Sequence, residues 1–273
     1  MYYNFQKSLK QKYNAVSFDI DGTLTQKNSK NIDYRAVNMI IELLKKKVPV
    51  VFITGRGEIG LNDLKQDIYS SIINADDVTE NDITRIYVLT NDGVRLFFSN
   101  NISFEHFLSQ DVYITTDEEL NQLQEVNNII QGIDSNYFNI TYSSDLKTNQ
   151  ILNIRMVFST KNNKIIEETY ALLENIIKAK CFEGVHLTRG FYKNQSVIQI
   201  GTATKDRAIE RAEKIIGVPK DSMMRIGDCG DYRGNDYLML NCQQGYSVDK
   251  TSGQIDYRDT MGVFDLNRKK IIE

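Results

Sequence analysis

No run of 18 apolar residues occurs in this 273-residue chain, so the sequence offers no bilayer-spanning helix. Positive charge is not in excess. Against 36 Asp and Glu stand 33 Lys and Arg, a formal net charge of -3, which excludes a nucleic-acid footprint and a polybasic membrane patch. Cysteine is scarce: Cys181, Cys229 and Cys242 are odd in number and unpatterned in spacing. They build neither a disulfide frame nor a zinc site and read as free thiols of a reducing compartment. The opening MYYNFQKSLKQKY has lysines but no apolar h-region, so no secretory signal is expected and the cytoplasm is the expected location. The two prolines and the lack of tryptophan carry no functional information.

What is present is an ordinary globular composition, 41% hydrophobic and 25% charged, long enough for one large domain or two modest ones. The chain is organised around Ala15–Thr25, AVSFDIDGTLT. A short apolar run stopped by a glycine turn reads as a buried strand. Asp19 and Asp21 stand at its carboxyl end, where open α/β sheets hold ligands. Residues i and i+2 of a strand share a face. Two carboxylates facing one pocket repel, so they require a shared proton or a cation. Gly22 permits a sharp turn and presents N–H groups to an anion. Carboxylates, a metal and anion-binding amides together suggest phosphoryl chemistry.

The helix expected after Asp33, with Ala36, Val37, Ile40, Ile41 and Leu44 on its apolar face, leads into a second buried strand, Val48–Ile53. Strand–helix–strand at this length is a βαβ unit with a right-handed crossover. The second strand ends in Thr54-Gly55-Arg56, a hydroxyl and a free glycine amide able to hold a phosphoryl oxygen. Leu61, Leu64, Ile68 and Ile72 mark a further helix. Ile86–Leu89 is a third strand, and Thr90-Asn91-Asp92-Gly93 is a turn that returns it as a hairpin.

From 95 to 195 the pattern changes to α+β. Strands are expected at Val112–Ile114, Tyr137–Tyr142, Ile151–Phe158 and Val185–Thr188, with helices around Leu120–Ile130 and Ile165–Ile177. Ile151–Phe158 alternates, with Asn153 and Arg155 on its polar face, as an antiparallel sheet covered on one side does. The doubly wound pattern is expected to resume with Val197–Ile200 and a helix capped by Thr204 and ended by Gly217. Lys205 lies in that helix's first turn, where a cation opposes the helix dipole unless an anion binds there. Met223–Gly227 is the next strand and ends in GDCGDYRGNDYLML, with acids at Asp228, Asp231 and Asp236. So many acids in one cleft require a cation, and hard oxygen ligands point to Mg²⁺. Gly245–Val248 reads as an edge strand.

These stretches resemble the four motifs of the haloacid dehalogenase-like (HAD) superfamily: DxDGTLT, the strand ending in TGR, the lone lysine, and the acidic fourth motif. The Asn91–Gly93 hairpin is similar to the NG turn of the Cof-type, sugar-phosphate branch. Four extra residues between Gly227-Asp228 and Asn235-Asp236 depart from the Cof form GDxxNDxxM and resemble phosphomannomutase, which leaves the role of Asp231 open. The resemblance implies a Rossmann-like parallel-sheet core, residues 1–94 and 196–273, with a type II α+β cap at 95–195. It implies a Mg²⁺-dependent phosphatase of small phosphorylated metabolites, sugar phosphates foremost. It carries Asp19 over as nucleophile and Asp21 as acid and base. Thr54, Gly55 and Lys205 become the phosphoryl grip, and Asp19, the Asp21 carbonyl and Asp228 the metal ligands, supported by Asn235 and Asp236. Arg56, Arg155, Arg189 and Lys193 are candidate substrate contacts. Two other readings stand beside it: a phosphomutase, and a non-catalytic phosphate switch like a receiver domain.

Overall fold

The computed structural model describes residues 13–25, 32, 34–57, 64, 70–75, 78–99, 104–106, 115–133, 135–144, 149–192 and 195–251. In chain order the elements are β1 (Ala15–Phe18), α1 (Tyr34–Lys45), β2 (Val50–Ile53), α2 (Ser70–Ile73), α3 (Glu80–Ile83), β3 (Ile86–Thr90), β4 (Arg95–Ser99) and β5 (Phe104–His106). Then come α4 (Asp117–Gln131), β6 (Phe138–Ser144), β7 (Ile151–Phe158), α5 (Asn163–Ala179), β8 (His186–Tyr192) and β9 (Gln195–Gly201). The last are α6 (Lys205–Ile216), β10 (Met223–Gly230), α7 (Tyr237–Leu240) and β11 (Gly245–Thr251). Asp33, Leu61, Ile68 and Val112–Ile114 lie outside the described residues.

Two compact units result. The first joins residues 1–112, 205–232 and 236–273, and the second joins 113–204 with 233–235. The first holds a seven-stranded sheet in the order β11-β10-β1-β2-β3-β4-β5. Its strands from β11 to β3 are parallel, β4 is antiparallel to β3, and β5 is antiparallel to β4. The four residues of β1 and of β2 are all buried, because alternate side chains enter different cores. Val16, Phe18, Val50 and Phe52 pack with Ala36, Val37, Ile40 and Leu44 of α1. Ala15, Val51 and Ile53 pack with Ala208, Ile209 and Ala212 of α6. Helices therefore cover both faces, the α/β doubly wound arrangement that buried parallel strands require.

The second unit holds an antiparallel sheet, β6-β7-β9-β8. Leu123, Val126 and Ile130 of α4 and Ile166, Tyr170 and Leu173 of α5 cover Ile154, Met156 and Phe158 on one face of it. Thr116 and Glu119 close the start of α4 with a reciprocal capping box.

Three expectations are corrected. Val197–Ile200 is not a core strand. It lies in β9 and pairs with β7 and β8, because Ile198 and Ile200 bury against α4 and α5 while Gln199 faces away beside Arg155. The boundaries consequently fall at 112/113 and 204/205, not 94/95 and 195/196, and β4 and β5 belong to the large sheet. Thr204 does not cap α6: its buried hydroxyl makes no hydrogen bond.

Candidate active site

The large sheet brings the acids of both chain halves to one edge. β1 pairs in parallel with β10, Phe18 opposite Ile226, and the ladder continues one step as Asp19 N–H donates to the Ile226 carbonyl at 2.8 Å. Asp19 therefore emerges from the end of β1 beside Asp228 on β10. The turn that follows is built by the motif's own residues. Thr23, Leu24 and Thr25 N–H groups all donate to the Ile20 carbonyl, so none uses the Asp21 carbonyl. Gly22 N–H donates to Thr25 Oγ1 at 3.1 Å. Gly22 sits at φ +85°, and a Cβ there would lie 2.3 Å from Asp228 Oδ2. Glycine is required both by backbone conformation and by the carboxylate behind it.

Lys205 is buried, 1% exposed, and its Nζ donates to Asp19 Oδ1 at 2.6 Å and to Asp236 Oδ1 at 2.5 Å. Thr23 Oγ1 donates to the other Asp19 oxygen at 3.2 Å. Asp236 is fully buried, and its Oδ2 accepts the Asp228 and Cys229 N–H groups, each at 3.0 Å. Thr54 is buried at the end of β2, and its hydroxyl accepts the Arg56 N–H at 3.0 Å, which curls the loop around Gly55. Arg56 grips Asp21 with two nitrogens, at 2.9 and 2.6 Å.

A family model of haloacid dehalogenase-like hydrolases matches residues 16–250. The chain belongs to this family. It is thus a HAD-like hydrolase, and the four motif stretches fall inside the match. No curated protein matches its sequence. Among solved structures it is similar to an N-terminally truncated, IMP-bound IMP-nucleotidase of Plasmodium falciparum, with TM-score 0.69 and 13% identity over 92% of this chain and 69% of that one. A mutant of the same nucleotidase gives TM-score 0.64 at 14% identity, over 89% of this chain, which spans 65% of that chain's length. A HAD subclass IIB sugar phosphatase gives TM-score 0.55 at 14% identity, over 89% of this chain and 92% of that one. At such identities the likeness establishes the fold.

The electrostatics of the hydrolase's site follow from burial. Burial drives the Asp19 carboxyl well above the usual carboxylate range; Lys205 opposes this, while Asp236, Asp228 and Asp21 add to it. Asp228 is pushed up to about 7, chiefly by burial and then by Asp236, against the pull of Lys205. Burial acts to lower the Lys205 ammonium, yet Asp19, Asp236 and Asp92 outweigh it and hold the lysine well above its ordinary value. Asp19, Asp228 and Asp236 share the single ammonium of Lys205, a surplus of acids that a further cation would balance. The oxygen donors suit hard Mg²⁺: Asp19, Asp228 and the Asp21 carbonyl. Asp228, Cys229 and Asp236 also lie within 4.8 Å of one another, but this trio is a poor alternative. Both Asp236 oxygens are already engaged, and burial pushes the Cys229 thiol far up, so it stays protonated.

Other residues are placed differently. Asn235 falls in the second unit, where its N–H donates to the Arg189 carbonyl at 3.0 Å; of Asn235 and Asp236, it is Asp236 that bonds Lys205. Arg155 donates to Gln199 Oε1 at 3.2 Å on the polar face of its sheet. Arg189 is paired with Glu167 at 2.5 Å. Asp231 forms no hydrogen bond or ion pair among the described residues, and Lys193 lies outside them. Sequence reasoning passed over Thr23, whose hydroxyl holds the Asp19 carboxylate, and Asp92, a carboxylate only 1% exposed. Both stood inside stretches read as turns. Asn153, read as polar and outward, is fully buried, and neither polar atom of its side chain finds a hydrogen-bond partner.

Proposed function

We propose that this hydrolase is a Mg²⁺-dependent phosphatase that cleaves a small phosphorylated metabolite through an aspartyl-phosphate on Asp19. The observation that carries the reading is Lys205, drawn into the interior to bond Asp19 and Asp236 at once. A buried cation on the carboxylate that closes the first strand is what a nucleophile facing a phosphate dianion needs. Phosphate monoesters hydrolyse so slowly that enzymes accelerate the reaction by up to ~10²¹-fold, whereas acid–base catalysis supplies about 10²–10⁴. Covalent attack and charge neutralisation must therefore contribute.

In this mechanism an Asp19 oxygen bonds to phosphorus as the bond to the leaving oxygen breaks. Asp21 donates the proton that the leaving alcohol takes up. The same carboxylate then accepts a proton from the water that attacks phosphorus, freeing inorganic phosphate and regenerating Asp19. Thr54, Gly55 and Lys205 hold the phosphoryl oxygens. Asp236 fixes Lys205, and Arg56 orients Asp21 through their two hydrogen bonds. Asp19, Asp228 and the Asp21 carbonyl would hold Mg²⁺, which when bound neutralises charge between nucleophile and phosphate.

Sugar phosphates are the first substrate class. The fold is that of a HAD subclass IIB sugar phosphatase. Nucleoside monophosphates are the second class, because the fold is also that of an IMP-nucleotidase. The test is phosphate release from hexose phosphates and nucleoside monophosphates with Mg²⁺. Asp19→Asn is expected to lower turnover by roughly 10⁴-fold or more. Unchanged turnover in that variant rules out the covalent step. An isomerised sugar phosphate without free phosphate would mark a mutase, and a single phosphate retained per chain a switch.

A further inference from the structure

The extra residues between Gly227-Asp228 and Asn235-Asp236 have a definite place in the fold. The chain leaves the first unit after Tyr232, contributes residues 233–235 to the second, and returns to the first at Asp236. The two ends of this excursion are stitched together. Asp236 N–H donates to the Cys229 carbonyl at 3.3 Å, and Asp236 Oδ2 accepts the Asp228 and Cys229 N–H groups, each at 3.0 Å. Its tip is docked within the second unit. Arg189 N–H donates to the Arg233 carbonyl at 2.6 Å, and Asn235 N–H to the Arg189 carbonyl at 3.0 Å, a parallel bridge on the edge strand β8. The Arg233 side chain lies on α5. Its Nη1 donates to Glu167 Oε2 at 3.1 Å, and its Nη2 is 3.6 Å from Glu174 Oε2. The same guanidinium stands 4.5 Å from the centre of the Tyr170 ring. Tyr170 is buried and its hydroxyl donates to the Leu187 carbonyl, so this platform is itself fixed. Glu167 gives its other oxygen to Arg189 at 2.5 Å.

We propose that Arg233 is a positioning residue for Mg²⁺ binding, the clasp that holds the 228–236 loop in the shape that presents its acids. This role rests on the Mg²⁺ site of the phosphatase reading above. A loop whose ends meet but whose tip is loose samples many shapes, and ordering it costs conformational entropy. A cation that binds only the ordered shape loses affinity by the fraction of time the loop spends elsewhere. Docking the tip removes that loss. Asn235, held by Arg189, immediately precedes Asp236. The docked tip therefore fixes the backbone from which the Asp236 carboxylate reaches Lys205 and the Asp228 and Cys229 amides. A single exposed ion pair would be a weak anchor. Here two glutamates and an aromatic face converge on one guanidinium, a planar fork that a lysine ammonium does not reproduce.

Arg233→Gln and Glu167→Gln, made singly and together in the full chain, test this. The readouts are Mg²⁺ affinity by calorimetry and amide hydrogen exchange of residues 229–236 in metal-free protein. Each single variant is expected to weaken Mg²⁺ binding about three- to tenfold and to speed exchange in that loop, with β7 and β9 unchanged. The double variant is expected to add little to either single one, because both open the same clasp. Arg233→Lys is expected to fall between Arg233→Gln and the wild type. Wild-type Mg²⁺ affinity in both single variants would overturn the role, even with a lowered melting temperature, because a purely structural clasp affects stability alone. So would fully additive losses in the double variant, or exchange that rises throughout the second unit. A wild type that binds no Mg²⁺ would overturn it too. A wild type that binds Mg²⁺ but releases no phosphate ends the phosphatase reading, whereas weakened Mg²⁺ binding in Arg233→Gln would still support the clasp.

Discussion

Lys205 belongs to the interior, and its charge is tolerated there because two carboxylates lie within hydrogen-bond distance. Removing one member of a buried, bonded ion cluster leaves the others uncompensated, at a cost of roughly 3–5 kcal/mol. Lys205→Met is therefore expected to lower the denaturation midpoint markedly and to abolish phosphate release. The stability loss should shrink as pH falls and Asp19 takes up a proton, a trend that denaturant titrations at several pH values would show. The importance of Lys205 was legible only through its neighbours in sequence order: a lone lysine in a first turn carries no signal until the DGTLT, TGR and acidic stretches frame it. Asp92 had no such frame. It is buried beside Gly55, which is remote in sequence.

At the scale of an element, the turn after β1 explains why its residue types occur in that order. Asp19 ends the strand, Gly22 turns at positive φ, Thr23 returns to Asp19, and Thr25 accepts the Gly22 N–H. Gly22→Ala would place a methyl group on Asp228 and force a strained φ. A loss of about 1–3 kcal/mol is expected, with weakened Mg²⁺ binding. Thermal unfolding with and without Mg²⁺ measures both, and an unchanged Mg²⁺-induced shift would argue against Asp228 as a ligand. Strands β1, β2 and β3 were legible because strands buried on both faces read as continuous apolar runs. β9 was misassigned for the same reason. Val197–Ile200 is apolar enough to resemble a core strand, and only its pairing with β7 and β8 reveals the antiparallel sheet.

Across the whole molecule, the pH dependence of stability reports the acid cluster. Asp228 has a folded value raised to about 7 from 3.8, and Asp19 shifts in the same direction. A carboxyl raised on folding binds protons more tightly in the folded state. Its stabilisation is present below pH ~4 and is lost as pH rises through about 7. The melting temperature of metal-free protein should therefore fall between pH 5 and 8, and Mg²⁺ should raise it more at pH 8 than at pH 5. Equal Mg²⁺ shifts at both pH values would contradict this origin. The amino-acid order alone determined the family, the doubly wound core and the acids, threonine, glycine and lysine at its strand and helix ends, because periodicity and turn chemistry are local properties. Tertiary structure decided where one unit stops and the next begins, that Asp236 rather than Asn235 holds Lys205, and that Asp92 and Asn153 are buried. Burial and charge balance arise from residues distant along the chain, and no local pattern encodes them.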